Sequence, residues 1–570
     1  MFGRPSLLSL QRLAYTLRPL SAAIRRQVMT KHKPAFYFRK LDCIGAADAE
    51  GDERYLSTCF VDTGDIEILR DCADTRRIVV GRTGSGKTAL LQRLIDREER
   101  AIVVPPESLA LSYVSNSTIL QFLSALDVKL DIFFRLLWRH VFTVEILRHH
   151  SKIDSEAKKK TFFQVVRGIF GEKKHEQTLK YLDRWGKSFW EETDYRIREL
   201  TTTLESNVKA EIGVKLNPMM ASVQSGQKLS EQQKAEVAHR AQAVVNKVQI
   251  KELTEILDLL DGLLQEDQQH RYFVVVDRLD ENWVEDRLRY SLIRALIETV
   301  RDFRRVRQVK IVIALRIDLL DRVFRLTRDA GFQEEKYHSL YLPLSWTRPH
   351  LVELIDKRID ALVKSRYTKQ PISAGDLLPG SIDNANPLDY LITRTFYRPR
   401  DVILFLNQCI AFATDESRLS APMLKRAEGA YSNDRLHSLQ DEWRADFPFL
   451  LEFAALLKGM PSGFAVARIH EGKVSDLCLE FTASKTDSAE DVLSATASQI
   501  AYGVISPRLF RQVALHVFYR VGLVGLKPDA HQPVSWSDRG TASFGSEDIQ
   551  DEWHVAIHPM FWRALGVKSP

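Results

Sequence analysis

The stretch Gly81-Arg82-Thr83-Gly84-Ser85-Gly86-Lys87-Thr88 constrains this chain more than any other. It satisfies the phosphate-loop pattern G-x-x-x-x-G-K-[ST] at every fixed position. Arg77-Ile78-Val79-Val80 just before it predicts a short feeding strand, and Ala89 to Ile95 has the spacing of the helix that should follow. The chemistry explains the composition. Glycines let the backbone wrap a polyphosphate with its N–H groups inward, and a helix N-terminus puts partial positive charge beneath it. The expected nucleotide-binding set is therefore Gly81, Arg82, Thr83, Gly84, Ser85, Gly86, Lys87, Thr88 and Ala89. Lys87 would meet the β- and γ-phosphates and Thr88 would ligate Mg²⁺, so ATP and Mg²⁺ are the expected cofactors.

Two later strands belong with this loop. Tyr272 to Val276 is a continuous apolar run closed by Asp277, as expected of a strand buried on both faces of a parallel sheet. An acid at that end meets the phosphate loop, where open α/β sheets place ligands, and Asp277 is the second expected metal residue. Asp280 and Glu281 follow at +3 and +4. Either can orient or deprotonate the attacking water, and either can instead cap the next helix. Val309 to Leu315 is another buried run and ends in Arg316, which would sense the γ-phosphate if its strand lies between those of Gly81 and Asp277. A salt bridge to Asp318 or Asp321 is the alternative. His338 to Leu344 predicts a further strand.

Arg398-Pro399-Arg400 opens the helix expected over 402–412, after a loop running through Pro387. Proline suits a helix start, but two arginines there oppose the dipole. They are expected to face an anion such as nucleotide, an acidic neighbour being the plainer explanation. Residues 115–269 carry almost no strand signal and suit helices. Residues 445–570 mix helices (449–457 and 509–524) with strand-like pieces near 534–536 and 554–557, a winged-helix-like pattern. Their charge, 11 Lys and Arg against 14 Asp and Glu, argues against a DNA-reading module.

The ordered set Asp48-Ala49-Glu50, Cys59-Phe60-Val61, Gly81 to Leu90, Val276 to Glu281, Ala314 to Asp318 and Arg398 to Asp401 resembles bacterial P-loop ATPases related to the STAND and AAA classes, often encoded near restriction and phage-defence genes. The resemblance covers roughly 40–110 and 270–415. It implies an α/β fold: a P-loop NTPase with a parallel sheet in which the Walker B strand is separated from the Walker A strand, a large helical insertion, a helical lid and a C-terminal winged-helix-like region. The implied division is a basic extension 1–34, core segments 35–114 and 270–348 around an insertion 115–269, a lid 349–440 and a C-terminal domain 441–570. Catalysis falls to Asp280, Glu281 and Arg316, metal binding to Thr88 and Asp277, and nucleotide contact from the lid to Arg398, Pro399 and Arg400. Where many AAA enzymes carry Glu after the Walker B Asp, this chain has Arg278, which implies slow turnover.

Composition closes off other classes. No apolar run approaches the roughly 20 residues that span a bilayer, and Cys43, Cys59, Cys72, Cys409 and Cys478 are scattered without metal-site spacing, as suits a reducing cytoplasm. No N-K-x-D guanine reader follows the sheet. The acid-free start, with Arg4, Arg12, Arg18, Arg25, Arg26, Lys31, Lys33, Arg39 and Lys40, can be a transit peptide or a nucleic-acid or membrane arm. The plainer expectation is an upstream start with Met29 as the working one. The functional expectation is a slow ATPase switch in phage defence that self-associates and works through a partner effector encoded nearby. An ATP-dependent nucleic-acid-processing protein is the alternative, motivated by that start and by Arg301, Arg304, Arg305, Arg307 and Lys310.

Overall fold

The computed structural model describes residues 37–106, 117–126, 128–151, 193–213, 216–224, 230, 232–242, 257, 260–262, 264, 270–281, 283–284, 286–328, 333–366, 371–484, 491–537 and 544–568. The basic start and much of the expected insertion lie outside them. After a lead-in, helices α1 (Glu53–Cys59) and α2 (Asp65–Arg70) precede β1 (Ile78–Gly81), the phosphate loop and α3 (Lys87–Arg97). Strand β2 (Ala101–Val103) stops at Pro105-Pro106. Within the expected insertion come α4 (Thr118–Ala125), α5 (Asp131–Ser151), α6 (Thr193–Ile212) and α7 (Leu216–Gln224), with no strand among the described residues. The core resumes with β3 (Tyr272–Val276), α8 (Asp286–Asp302), β4 (Val309–Arg316), α9 (Ile317–Thr327), α10 (Glu335–His338) and β5 (Tyr341–Pro343).

The five strands form one parallel sheet in the order β2-β3-β4-β1-β5. β4 separates β1 from β3, with Gly81 opposite Arg316 and Val276 opposite Ile313. This is the arrangement of a P-loop NTPase core. Period-two alternation divides the strands between two buried layers. Val79, Phe273, Val275, Val312 and Ala314 pack under α2 and α3, while Ile78, Val80, Val274, Val276, Ile311 and Ile313 face the layer containing α4, α5, α8 and α9. Because both faces are covered, the strands read as nearly continuous apolar runs, broken in β4 by Lys310, whose ammonium donates to the carbonyls of Ile68 and Asp71.

A separate hydrophobic core joins everything from α11 (Arg348–Arg366) onward. It takes in α12 (Ala374–Leu377), α13 (Pro387–Thr393), α14 (Pro399–Ala411), α15 (Ala421–Trp443), α16 (Leu450–Ala454), α17 (Glu471–Ser484), α18 (Val492–Ala501), α19 (Pro507–Val521) and the antiparallel sheet β6-β8-β7, with β6 Gly463–Ala465, β7 Val524–Lys527 and β8 His554–Ile557. Phe38, Ile44 and Val61 of the lead-in belong to this core too. The boundary expected between 440 and 441 falls inside α15, and one core lies on both sides of it.

Several local expectations need correction. His338 ends a helix, so the last core strand begins at Tyr341. The loop expected before Pro387 contains α12, nucleated by the Ser373–Asp376 capping box. The helix expected over 509–524 stops at Val521, because Gly522 takes a left-handed conformation (φ 88°) and ends it. Val534 to Trp536 is no strand; only Ser535 bridges to Leu526 of β7.

Candidate nucleotide site

Gly84 and Gly86 both have positive φ, 77° and 94°, which lets the loop after β1 curl over the start of α3. At Gly84 the second reason is space: a Cβ there would lie 2.6 Å from Cβ of Arg400. The loop and the start of α14 therefore touch, and the Arg400 N–H donates to the Gly84 carbonyl at 3.3 Å.

Lys87 curls back over this loop, its Nζ donating to the carbonyls of Gly81 (3.0 Å) and Arg82 (3.1 Å). Burial pushes its pKa down to about 8, against the pull of Asp280 and Asp277. The Thr88 hydroxyl donates to the Asp277 carboxylate, as does the Arg278 N–H (2.9 Å). Burial nevertheless holds the Asp277 pKa above its ordinary value. A hydroxyl and a carboxylate meeting at the phosphate loop form a hard-oxygen pair, as Mg²⁺ requires alongside substrate phosphates and water. Among the described residues no group of three His, Cys, Asp or Glu side chains could hold a metal.

The strand order puts Arg316 beside the loop, and the expected salt bridge to Asp318 is present. It lines the cleft, yet it pairs with Asp318 through two bonds (3.0 and 2.8 Å) and approaches Asp280 at 3.4 Å. It also donates to the Glu442 carbonyl at 3.3 Å. Asp321, the other candidate partner, goes to Arg520 instead.

The two arginines at the start of α14 part company. Arg398 is buried. It donates to the Thr83 carbonyl (2.7 Å) and to Asp401 (2.9 Å), and reaches Glu442 at 3.5 Å. It clamps the back of the phosphate loop and does not line the cleft. Arg400 does, with Nε on the Ala47 carbonyl at 2.9 Å. Burial, then the charges of Arg398 and Arg435, lower its pKa, so an anion in the cleft would be welcome electrostatically.

The cleft, about 250 Å³, gathers Thr83, Gly84, Gly86, Lys87, Thr88, Ala89, Asp277, Asp280, Glu281, Arg316, Pro399 and Arg400 from the expected set. Gly81, Arg82, Ser85 and Arg398 lie behind it. Arg82 in particular turns away: its Nη2 donates to the Val521 carbonyl at the end of α19 (2.5 Å), and its guanidinium stacks 4.7 Å from the Phe396 ring. An apolar cavity of about 60 Å³ adjoins the cleft, walled by Cys59, Phe60, Val61, Trp346 and Leu354. Trp346 Nε1 donates to the Ser85 carbonyl at 2.8 Å, fixing this wall to the loop.

Sequence reasoning missed Glu442. Its buried carboxylate approaches Arg398 and lies 3.8 Å from Arg82, and despite burial those arginines hold its pKa below the ordinary value. Nothing in the sequence marks one carboxylate in a helix rich in polar residues. Arg358 was missed as well: it is paired with Asp52 in the interior, fixing the lead-in against the cleft.

Residues 349–440 match the family described as the FunZ-associated C-terminal helical domain. A putative transposon gamma-delta 80.3 kDa protein of Escherichia coli (strain K12) is 22% identical over 541 residues, spanning 93% of this chain and 67% of that protein. Among solved structures, the Walker-type ATPase paby2304 of Pyrococcus abyssi overlaps 88% of this chain and 97% of its own at 10% identity and a TM-score of 0.34. The ORC2 protein of Aeropyrum pernix, in ADPNP–ADP complexes, overlaps 88% and 90% at 13% identity and a TM-score of 0.29.

Proposed function

We propose that this chain binds ATP with Mg²⁺, hydrolyses it slowly, and uses the cycle as a conformational switch. The observation that carries this reading is the convergence of Lys87, the Thr88–Asp277 pair, Arg316 and Arg400 on one cleft at the C-terminal end of a parallel sheet. Thr88 and Asp277 would hold the metal, which neutralises charge on the phosphates when bound. Lys87 would trade the loop carbonyls for phosphate oxygens, Arg400 would contact them from the lid, and Asp280 or Glu281 would orient the water. The apolar cavity would take the base.

The switch part rests on how the loop is held from behind. Arg82 and Arg398 tie it to α15 and α19, and Asp446 ties the same unit to Arg322 and Arg325 of α9, directly after Arg316. Strand β6, then three helices, then strands β7 and β8, with the three strands paired in one antiparallel sheet, support a winged-helix-like reading of the C-terminal unit. Self-association, a nearby effector and a place in phage defence rest on the motif resemblance alone.

Lys87→Ala is the test. ATP hydrolysis and ATP-dependent change in native mass should both disappear, and survival of both would refute the reading. The nucleic-acid alternative draws on Arg304, Arg305 and Arg307, which are exposed just before β4, at the end of the sheet opposite the cleft. ATPase stimulation by DNA, lost at high salt, would favour it.

A further inference from the structure

Arg278 lines the cleft in a backbone conformation that side chains rarely adopt. It follows Asp277, and Leu279 after it is buried in the sheet core. The chain must therefore turn sharply between a metal residue and a core residue. It does so by placing Arg278 in the left-handed region, φ 59°. Glycine adopts that conformation freely, whereas a long side chain there is strained. Among the described residues the other non-glycine positions with positive φ are Asp383, Asn384, Asp415 and Tyr397, and of these five only Arg278 lines the cleft. Strain kept at such places points to a function.

The Arg278 side chain crosses the mouth to Glu50 (2.9 Å) and lies 3.8 Å from Glu281. All three are about half exposed, and solvent screens ion pairs of that kind. A triphosphate in the cleft that Arg278 lines would offer its guanidinium a stronger, bidentate partner. Arg316, the other cation on this side, is already committed to Asp318.

We propose that Arg278 is a catalytic residue, an arginine finger supplied in cis. This rests on the ATPase reading above. In the nucleotide complex Arg278 leaves Glu50 and Glu281 for the non-bridging oxygens of the γ-phosphoryl group. The water oxygen bonds to phosphorus as the bond to the β–γ bridging oxygen breaks, and that electron pair departs on the diphosphate. The water proton passes to Glu281, which lines the cleft. Asp280 stays with Arg316 and holds it in place. The choice between Asp280 and Glu281 as base thus falls on Glu281.

The test compares wild type, Arg278→Gly, Arg278→Lys and Glu50→Gln in single-turnover hydrolysis, ATP binding and binding of ADP–aluminium fluoride with Mg²⁺. Arg278→Gly relieves the strained φ, so thermal stability should hold or rise. ATP affinity should change less than about threefold while the hydrolysis rate, and affinity for the fluoride analogue, fall about 100-fold or more. Arg278→Lys should recover little, added guanidinium should partly rescue Arg278→Gly, and Glu50→Gln should raise the rate. Wild-type rates in Arg278→Gly, or a loss of ATP affinity that accounts for the whole effect, would overturn the proposal and leave Arg278 a latch. If wild type does not hydrolyse ATP and Lys87→Ala changes nothing, the ATPase reading fails, and this proposal with it.

Discussion

The nucleotide affinity should fall as pH rises above 8, and Lys87 sets the size of the effect. In the free protein burial pushes the Lys87 pKa down from 10.5 to about 8. Its protonated form therefore carries a penalty that is present below pH 8 and is relieved as pH climbs toward 10.5. Triphosphate reverses the balance, because negative oxygens beside Nζ favour the ammonium. The complex keeps the proton through pH 9, whereas the free protein releases it near 8. Protonated Lys87 then falls from about nine-tenths of the free protein at pH 7 to about one-tenth at pH 9, and affinity falls about tenfold, or about 1.4 kcal/mol. Calorimetry in two buffers of different ionisation enthalpy reads both quantities. Proton uptake on binding should be close to zero at pH 7 and approach one at pH 9. Lys87→Arg should bind with a flat profile over that range. PH-independent affinity and no proton uptake in wild type would refute the argument.

Three further outcomes follow from the same geometry. Arg398→Met leaves Asp401 buried without its main partner and removes the donor to Thr83, so urea denaturation should show a loss of about 3–5 kcal/mol; adding Asp401→Leu should recover part of it. Gly84→Ala puts a Cβ against Arg400 at φ 77° and should weaken ATP binding about tenfold in a titration, while Gly380→Ala, in open space, should not. Asp446 is pushed up by burial but held below its ordinary 3.8 by Arg322 and Arg325. Its stabilisation is therefore present above about pH 4 and lost as pH falls further, and Asp446→Asn should speed proteolysis of the C-terminal unit at neutral pH.

The sheet and one wall of the cleft were legible because the residues that make them are neighbours in sequence. Gly81 to Thr88, Asp277 and Arg316 each close a buried strand or open a helix, so pattern and chemistry coincide. Arg398 and Arg400 were not separable, since they share a turn and a residue type. Their difference comes from Asp401, Glu442 and the Thr83 carbonyl on one side and open cleft on the other, partners scattered over more than 300 positions. Arg82 was read as a nucleotide contact because it occupies a variable position of the motif. Only the tertiary arrangement reveals that its side chain leaves on the opposite face. The strands near Gly463 and Val524 escaped notice because each is three or four residues long and borders a helix.

That departure of Arg82 has a consequence for whatever acts on this protein from outside. One guanidinium is rooted in the loop that would grip phosphate and tipped on the carbonyl that ends α19. A partner that draws α19 away cannot do so without disturbing the loop, and a nucleotide that reshapes the loop must tug on α19. Linkage makes the exchange symmetrical: the factor by which such a partner alters nucleotide affinity is the factor by which nucleotide alters affinity for the partner. A single pair of titrations, each ligand measured with and without the other, would therefore give the coupling twice over, and the two values must agree.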